Sequence, residues 1–286
     1  MSQLKVLKSV GRSCLLAVSM LCFVGGSAHA DVVAYWDFED GPGATTADQT
    51  ANGNTATLIG GTAFDSSTPL PLAGSTQSMR FNGTDGYLTV ADSASISVTG
   101  SLTLSAWIKL DNPNEGPGSE QTILAKDRNA SYRWGLRNIS AVGNYNPARV
   151  ILNDGSTTQS NIVGAFANGS VWKHVAAVMD FSTGVARHYQ DGVQIGADTA
   201  LTVTGIADSA GSMLIGAFNP SSSFFDGVMD DVAIFDQALS LDQIVSLSDG
   251  SKTPLTVIPE PGAMGLFVLG LVSICVRRAR LIRFYA

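Results

Sequence analysis

The body of this 286-residue chain has no cysteine: Cys14 and Cys22 lie in an apolar run near its start, and Cys275 in another near its end. That excludes a disulfide scaffold for everything between them. Histidine is almost as scarce. Only His174 and His188 fall in the body, they are not at ligand spacing, and a His/Cys zinc site is excluded. Charged residues make up only 14% of the chain, and positive charge is the scarcer sign. Of 17 lysines and arginines, seven (Lys5, Lys8, Arg12, Arg277, Arg278, Arg280 and Arg283) sit at the two ends. That leaves ten in the body against all 24 acidic residues, a formal charge of −14 there. Such a surface repels nucleic acid and anionic lipid. No phosphate-cradling glycine loop and no Gly-x-Ser-x-Gly elbow occurs. Long helical patterns alternating with strands are missing too, which removes a parallel α/β sheet.

What is present is turn chemistry and short alternating runs. Glycine reaches 30 residues, and apolar residues make up 45% of the chain, enough for one sizeable core. Roughly twelve short strands with turns every 8–12 residues predict an all-β sandwich. Val32–Asp40 opens the series, and Gly41-Pro42-Gly43 ends it. Met79–Gly83 and Gly86–Val90 read as a hairpin, as do Val185–Tyr189 and Val193–Ile195 across Asp191-Gly192, a type I′ signal. Residues 111–120 read as an exposed loop that contains Glu115 and Glu120. Val228–Phe235 is apolar on both parities except for Asp230-Asp231, adjacent carboxylates that are costly to bury unless a cation or donors satisfy them. Ser240 then offers an N-cap, Gln243 completes a capping box, and Leu241, Ile244, Val245 and Leu247 give a short apolar helix face.

The ends read as addresses. Residues 1–30 have a basic start, an apolar stretch from Cys14 to Val24 and an Ala28-His29-Ala30 cleavage site, the pattern of a secretory signal peptide. At the other end Pro259-Glu260-Pro261 precedes an apolar run from Gly262 to Val276 and then Arg277-Arg278-Ala279-Arg280. This tail, 259–286, resembles the PEP-CTERM sorting signal of bacteria. That resemblance implies brief anchoring in the inner membrane, cleavage by an exosortase-type transpeptidase after signal peptidase has acted, and delivery to the cell surface or extracellular matrix. A plain tail anchor is the competing reading. Between the ends lie one domain, 31–248, and a linker, 249–258.

Several of these segments together resemble the laminin-G-like, concanavalin A-like jelly-roll family: Tyr35-Trp36-Asp37-Phe38, Asn52-Gly53-Asn54, Ser105-Ala106-Trp107-Ile108-Lys109, Trp172-Lys173-His174-Val175-Ala176, and Gly227 through Asp230-Asp231 to Ala238-Leu239-Ser240. The resemblance implies a β-sandwich of two antiparallel sheets. It also implies a structural Ca²⁺ held by Glu39, Asp230 and Asp231 with a carbonyl from Asn52 or Gly53, a hard-oxygen set of the kind that Ca²⁺ takes. Trp36, Trp107 and Trp172 read as core, and His174 as a packed, hydrogen-bonded residue. Tyr132, Trp134 and Tyr145, beside Arg133, Arg137 and Asn144, are the candidate platform for a sugar. The expected function is non-enzymatic recognition of a polysaccharide or a surface protein. The alternatives are a glycoside-active enzyme of the sandwich type, for which Asp37-x-Glu39 is the one alternating acid pair, and a purely structural matrix protein.

Overall fold

The alternation of the sequence becomes sixteen strands among the described residues. A computed structural model of the protein describes residues 31–111, 120–127, 130–137, 145–167 and 170–258, the side chains at 145–147 and 161–167 excepted. Ala28, Ala30, Pro259, Glu260, Pro261, Arg277 and Arg278 lie outside the described residues. No described helix is long and apolar enough to cross a membrane.

In chain order the strands are β1 (Val32–Trp36), β2 (Thr45–Thr46), β3 (Ala56–Ile59), β4 (Ala63–Asp65), β5 (Ser78–Asn82), β6 (Tyr87–Val90), β7 (Leu102–Leu110), β8 (Glu120–Lys126), β9 (Tyr132–Arg137), β10 (Tyr145–Asn153), β11 (Thr158–Ala167), β12 (Lys173–Asp180), β13 (Val185–Gln190), β14 (Val193–Ala200), β15 (Met213–Ile215) and β16 (Asp226–Phe235). One sheet runs β14-β13-β12-β7-β16-β5-β4, with β1 also paired to β16; the other runs β11-β10-β9-β8-β15-β6-β3-β2. Every pairing is antiparallel. The result is an all-β sandwich of two sheets, consistent with a jelly roll. The strands missed in the sequence include β2 and β4, too short for alternation to show.

The main core lies between the sheets and includes Trp36, Phe38, Phe81, Tyr132, Trp134 and Met229. A second apolar cluster lies on the other face of the first sheet. There Tyr35, Ala176, Tyr189 and Phe235 meet Ile244 and Leu247 of the helix α1 (Leu241–Ser248). This explains why β16 is apolar on both parities: it serves two cores. The α1 capping box forms as expected, Ser240 N donating to Gln243 Oε1 at 2.9 Å. The helix buries a narrower face than expected, since Leu241 and Val245 are exposed.

One expected hairpin does not exist. β5 pairs with β4 and β16, whereas β6 pairs with β3 and β15 of the opposite sheet. Phe81 and Leu88 both reach the main core, from opposite sides. Alternation reports only that one face is buried, so it does not separate a hairpin from a crossover. The Asp191-Gly192 hairpin is as expected, with φ of 49° and 78° at the two turn residues. In β16, Gly227 has φ 151°, and a Cβ there would stand 2.2 Å from the Lys109 carbonyl oxygen, so only glycine lets β16 approach β7.

Candidate functional site

The acid pair sits at an irregularity. Asp230 lies opposite Trp107 and Ala233 opposite Ser105, so β16 carries one residue more than β7 between them, and Asp231 takes φ 47°. This bulge breaks strict alternation. Asp231 Oδ1 accepts the hydroxyl of Tyr35 on β1; Asp230 accepts Ser75 Oγ at 2.9 Å and the Asp231 amide at 2.9 Å. Both acids are buried. Burial and then the neighbouring Asp231 push the Asp230 carboxyl up to about 8. Burial, then Asp37 and Glu39, push Asp231 up to about 7 against the Tyr35 hydrogen bond. Burial, then Asp231, Asp37 and Asp230, raise the Tyr35 hydroxyl.

The first and last strands therefore do meet, as a shared acid site required. Each of the four residues expected to hold Ca²⁺ has hydrogen-bond partners within the protein. Glu39 accepts from Thr76 N at 2.8 Å, Thr76 Oγ1 at 2.5 Å and Gln77 N at 3.1 Å. Asn52 turns its amide to the Val33 carbonyl at 3.0 Å, and the Gly53 carbonyl accepts from Thr55 N. Among the described residues no three His, Cys, Asp or Glu are grouped so as to hold a metal. Protein donors engage these carboxylates as they stand. A cavity of about 180 Å³ beside them is lined by Tyr35, Asp37, Glu39, Ser75 and Asp231.

A larger feature lies on the same face of the same sheet. A groove of about 600 Å³ has Trp107 and Lys109 of β7 in its floor, Val171-Trp172 on one wall and Leu70-Pro71 on the other. Leu70 is 98% exposed and Val171 56%. Trp172 Nε1 and Lys109 Nζ both donate to Ser67 Oγ, at 3.3 and 3.2 Å, and so tie the wall and floor to the loop before β5. Trp107 packs edge-on against the His174 ring, centroids 5.4 Å apart, and His174 Nε2 lies 2.9 Å from Ser105 Oγ. Burial drives the His174 pKa down to about 4, so the imidazole is neutral. Asp191, at the groove end, accepts from His174 N and Lys173 Nζ.

A family model described as the concanavalin A-like lectin/glucanases superfamily, of laminin-G type, matches residues 82–245, more than half of the chain. The chain belongs to that superfamily. No curated protein matches this laminin-G-like chain. Solved structures do. The binding domain of Paraclostridial mosquitocidal protein 1 superimposes with a TM-score of 0.58 at 14% identity, covering 76% of this chain and 52% of that one. The receptor-binding domain of a botulinum neurotoxin C/D mosaic serotype gives 0.55 at 16%, with coverage of 77% and 51%. Domain 4 of AbnA, an extracellular arabinanase of Geobacillus stearothermophilus solved with arabinotriose, gives 0.52 at 19%, with coverage of 77% and 99%. The chain spans about half the length of the two toxin domains. At these identities the likeness establishes the fold.

The laminin-G-like sandwich buries two of the aromatics expected to face a sugar. Tyr132 and Trp134 are fully buried in the main core, Tyr132 donating to the Ile96 carbonyl at 2.8 Å, so neither is a platform for a sugar. The side chain of Tyr145 lies outside the described residues. Strand alternation supplies the reason: Tyr132 and Trp134 point inward, so Arg133 and Arg137, grouped with them in the sequence, point the other way. Trp36 is core as expected. Trp107 is likewise buried, at 4% exposure, beneath the groove, whereas Trp172 is only half-buried and lines it. The signal of Trp172 was weak, since it falls just before β12, outside its alternation.

Proposed function

We propose that the protein is a non-enzymatic binding module and that the groove floored by Trp107 receives a glycan. The observation that carries this is the half-buried Trp172 with exposed Leu70 and with Lys109 and Asp191 in one open groove above the buried Trp107. Indole faces stack on the C–H faces of sugars, and a few fixed polar groups orient the hydroxyls. The groove volume falls within the range of about 300–1,000 Å³ usual for ligand sites, whereas the acid-lined cavity, about 180 Å³, falls below it. Glycosidic cleavage needs two carboxyl groups open to a cleft, and Asp230 and Asp231 are enclosed and bonded to Ser75 and Tyr35. Family membership supports the same reading, as does the arabinotriose carried by one domain of this fold.

The two chain ends support export, with removal of residues 1–30 by signal peptidase and sorting of 259–286 by an exosortase-type transpeptidase to the surface or matrix. The site is tested by titrating the full-length chain with neutral oligosaccharides selected on a glycan array. Trp172→Ala weakens binding about tenfold, the scale of one aromatic stacking contact. Unchanged affinity in that variant overturns the assignment of the groove.

A further inference from the structure

The other sheet carries a cluster that sequence reasoning missed. Glu120, expected in a loop without an ordered partner, is the first residue of β8 and the centre of three arginines. Its Oε2 accepts Arg133 Nη2 at 2.6 Å; its Oε1 accepts Arg149 Nη1 and lies 3.5 Å from Arg137 Nε. Tyr132, Trp134 and Leu136 fill the core, so Arg133 and Arg137 stand on the outward face of β9. Arg149 on β10 faces Gly135 between them. A Cβ at Gly135 would meet the Gln121 carbonyl at 2.5 Å, so the gap between the two arginines holds no side chain.

The support of these arginines is uneven. Arg133 is clamped: its guanidinium lies 4.1 Å from the Phe218 ring centroid, and its Nε and Nη2 reach Thr122 Oγ1. Arg149 Nε donates to Ser160 Oγ at 2.9 Å. Arg137 is half-exposed, yet its Nε is buried without a hydrogen-bond partner. Burial lowers the Arg133 pKa, and Arg149 and Arg137 add to this against the opposing pull of Glu120. A closed structural cluster balances its charges. Among the described residues this one keeps three cations against one carboxylate, on a body whose formal charge is −14.

We propose that this outward face of β8, β9 and β10 binds a carboxylate of an acidic polysaccharide. Arg137 and Arg149 make the contact, and Glu120 and Arg133 hold them in place. A planar guanidinium fork matches a carboxylate bidentately, and Arg137 is half-exposed to an incoming anion. The rest of the acidic body repels an anionic polymer, so the ligand meets the surface only here. The depression between Arg133 and Arg149 is about 10 Å³, so the ligand lies across the strands and inserts no side chain. The choice of a sugar polymer rests on the glycan-binding reading above; the anion site itself does not.

The test is calorimetric titration of the full-length chain with oligogalacturonate, with its fully methyl-esterified form and with oligoglutamate, at low and at physiological salt. The free acid binds, more weakly as salt rises. Arg137→Gln and Arg149→Gln each lose about tenfold or more in affinity while keeping the wild-type melting temperature, and Trp172→Ala leaves this binding unchanged. The methyl ester binds at least tenfold more weakly. No binding of the free acid, equal binding of the ester, or unchanged affinity in both arginine variants overturns the site. Oligoglutamate bound as tightly as oligogalacturonate overturns the polysaccharide assignment. Loss of uronate binding in Trp172→Ala overturns its independence from the groove, whereas failure of the groove alone leaves the arginine results standing.

Discussion

The acid pair at the β16 bulge makes stability depend on pH in a way that ordinary carboxylates do not. An unfolded aspartate titrates near 3.8, whereas Asp230 and Asp231 hold their protons to about 8 and about 7 in the fold. Between those limits the native state binds more protons than the unfolded chain, so stability falls as pH rises. Two buried histidines act oppositely. Burial lowers His174 to about 4 and His188 to about 3, so between there and 6.5 the unfolded chain binds more protons. Two protons each way nearly cancel from about pH 4.5 to 6.5. Above 6.5 the histidines are neutral in both states and the acid pair acts alone. At about 1.4 kcal/mol per proton and pH unit, losing the pair's protons by pH 8 removes roughly 2–3 kcal/mol, or about 4–10 °C in melting temperature for a domain of this size. Differential scanning calorimetry of the protein in a chelator, from pH 5 to pH 9, measures it. A plateau to pH 6.5 and a fall beyond it are expected; in Asp230→Asn, which removes one of the two charges, the fall shrinks by half or more. Stability that is flat or rising from pH 6.5 to 8 in the wild type refutes the reasoning. A rise on adding excess calcium at pH 8, abolished in Asp231→Asn, would mean that a cation and not a proton compensates the pair.

The remaining predictions concern packing. Gly227→Ala places a methyl group against the Lys109 carbonyl and costs more than about 3 kcal/mol, read as loss of folded protein in chemical denaturation. Trp134→Ala costs about 3–5 kcal/mol but leaves the glycan affinity of the surviving folded fraction unchanged, the opposite of Trp172→Ala. Ser240→Ala removes the cap of α1 and lowers stability by about 1 kcal/mol in the same assay.

Much of the fold was legible because turn chemistry and alternation are local. Asp191-Gly192 fixed its hairpin, Ser240 and Gln243 their capping box, and the doubly apolar Val228–Phe235 run its place between two cores. What was not legible depended on partners. Phe81 and Leu88 alternate as a hairpin's residues would, and only the pairing of β5 with β16 and of β6 with β15 puts them in different sheets. The candidate site was misread for the same reason. Tyr132 and Trp134 drew notice as aromatics beside arginines, when parity alone separates the two sets of side chains. Glu120 was passed over because its loop neighbours hid that it starts a strand, and its three arginines come from β9 and β10, up to 29 residues away.

The position of β16 also sets when the sandwich can form. It is the last strand, and it joins β7 on one edge to β5 and β1 on the other. Until it arrives, the first sheet is three unconnected pieces, and Asp31 has no Asp236, 205 residues on, to accept its amide. Contacts of such high sequence separation make folding slow, because most of the chain's entropy is lost before they repay it. A chain emerging from its start therefore stays open until nearly all of the body has been made. Were the chain exported as proposed, that delay would keep it in the open form that a narrow translocation pore accepts.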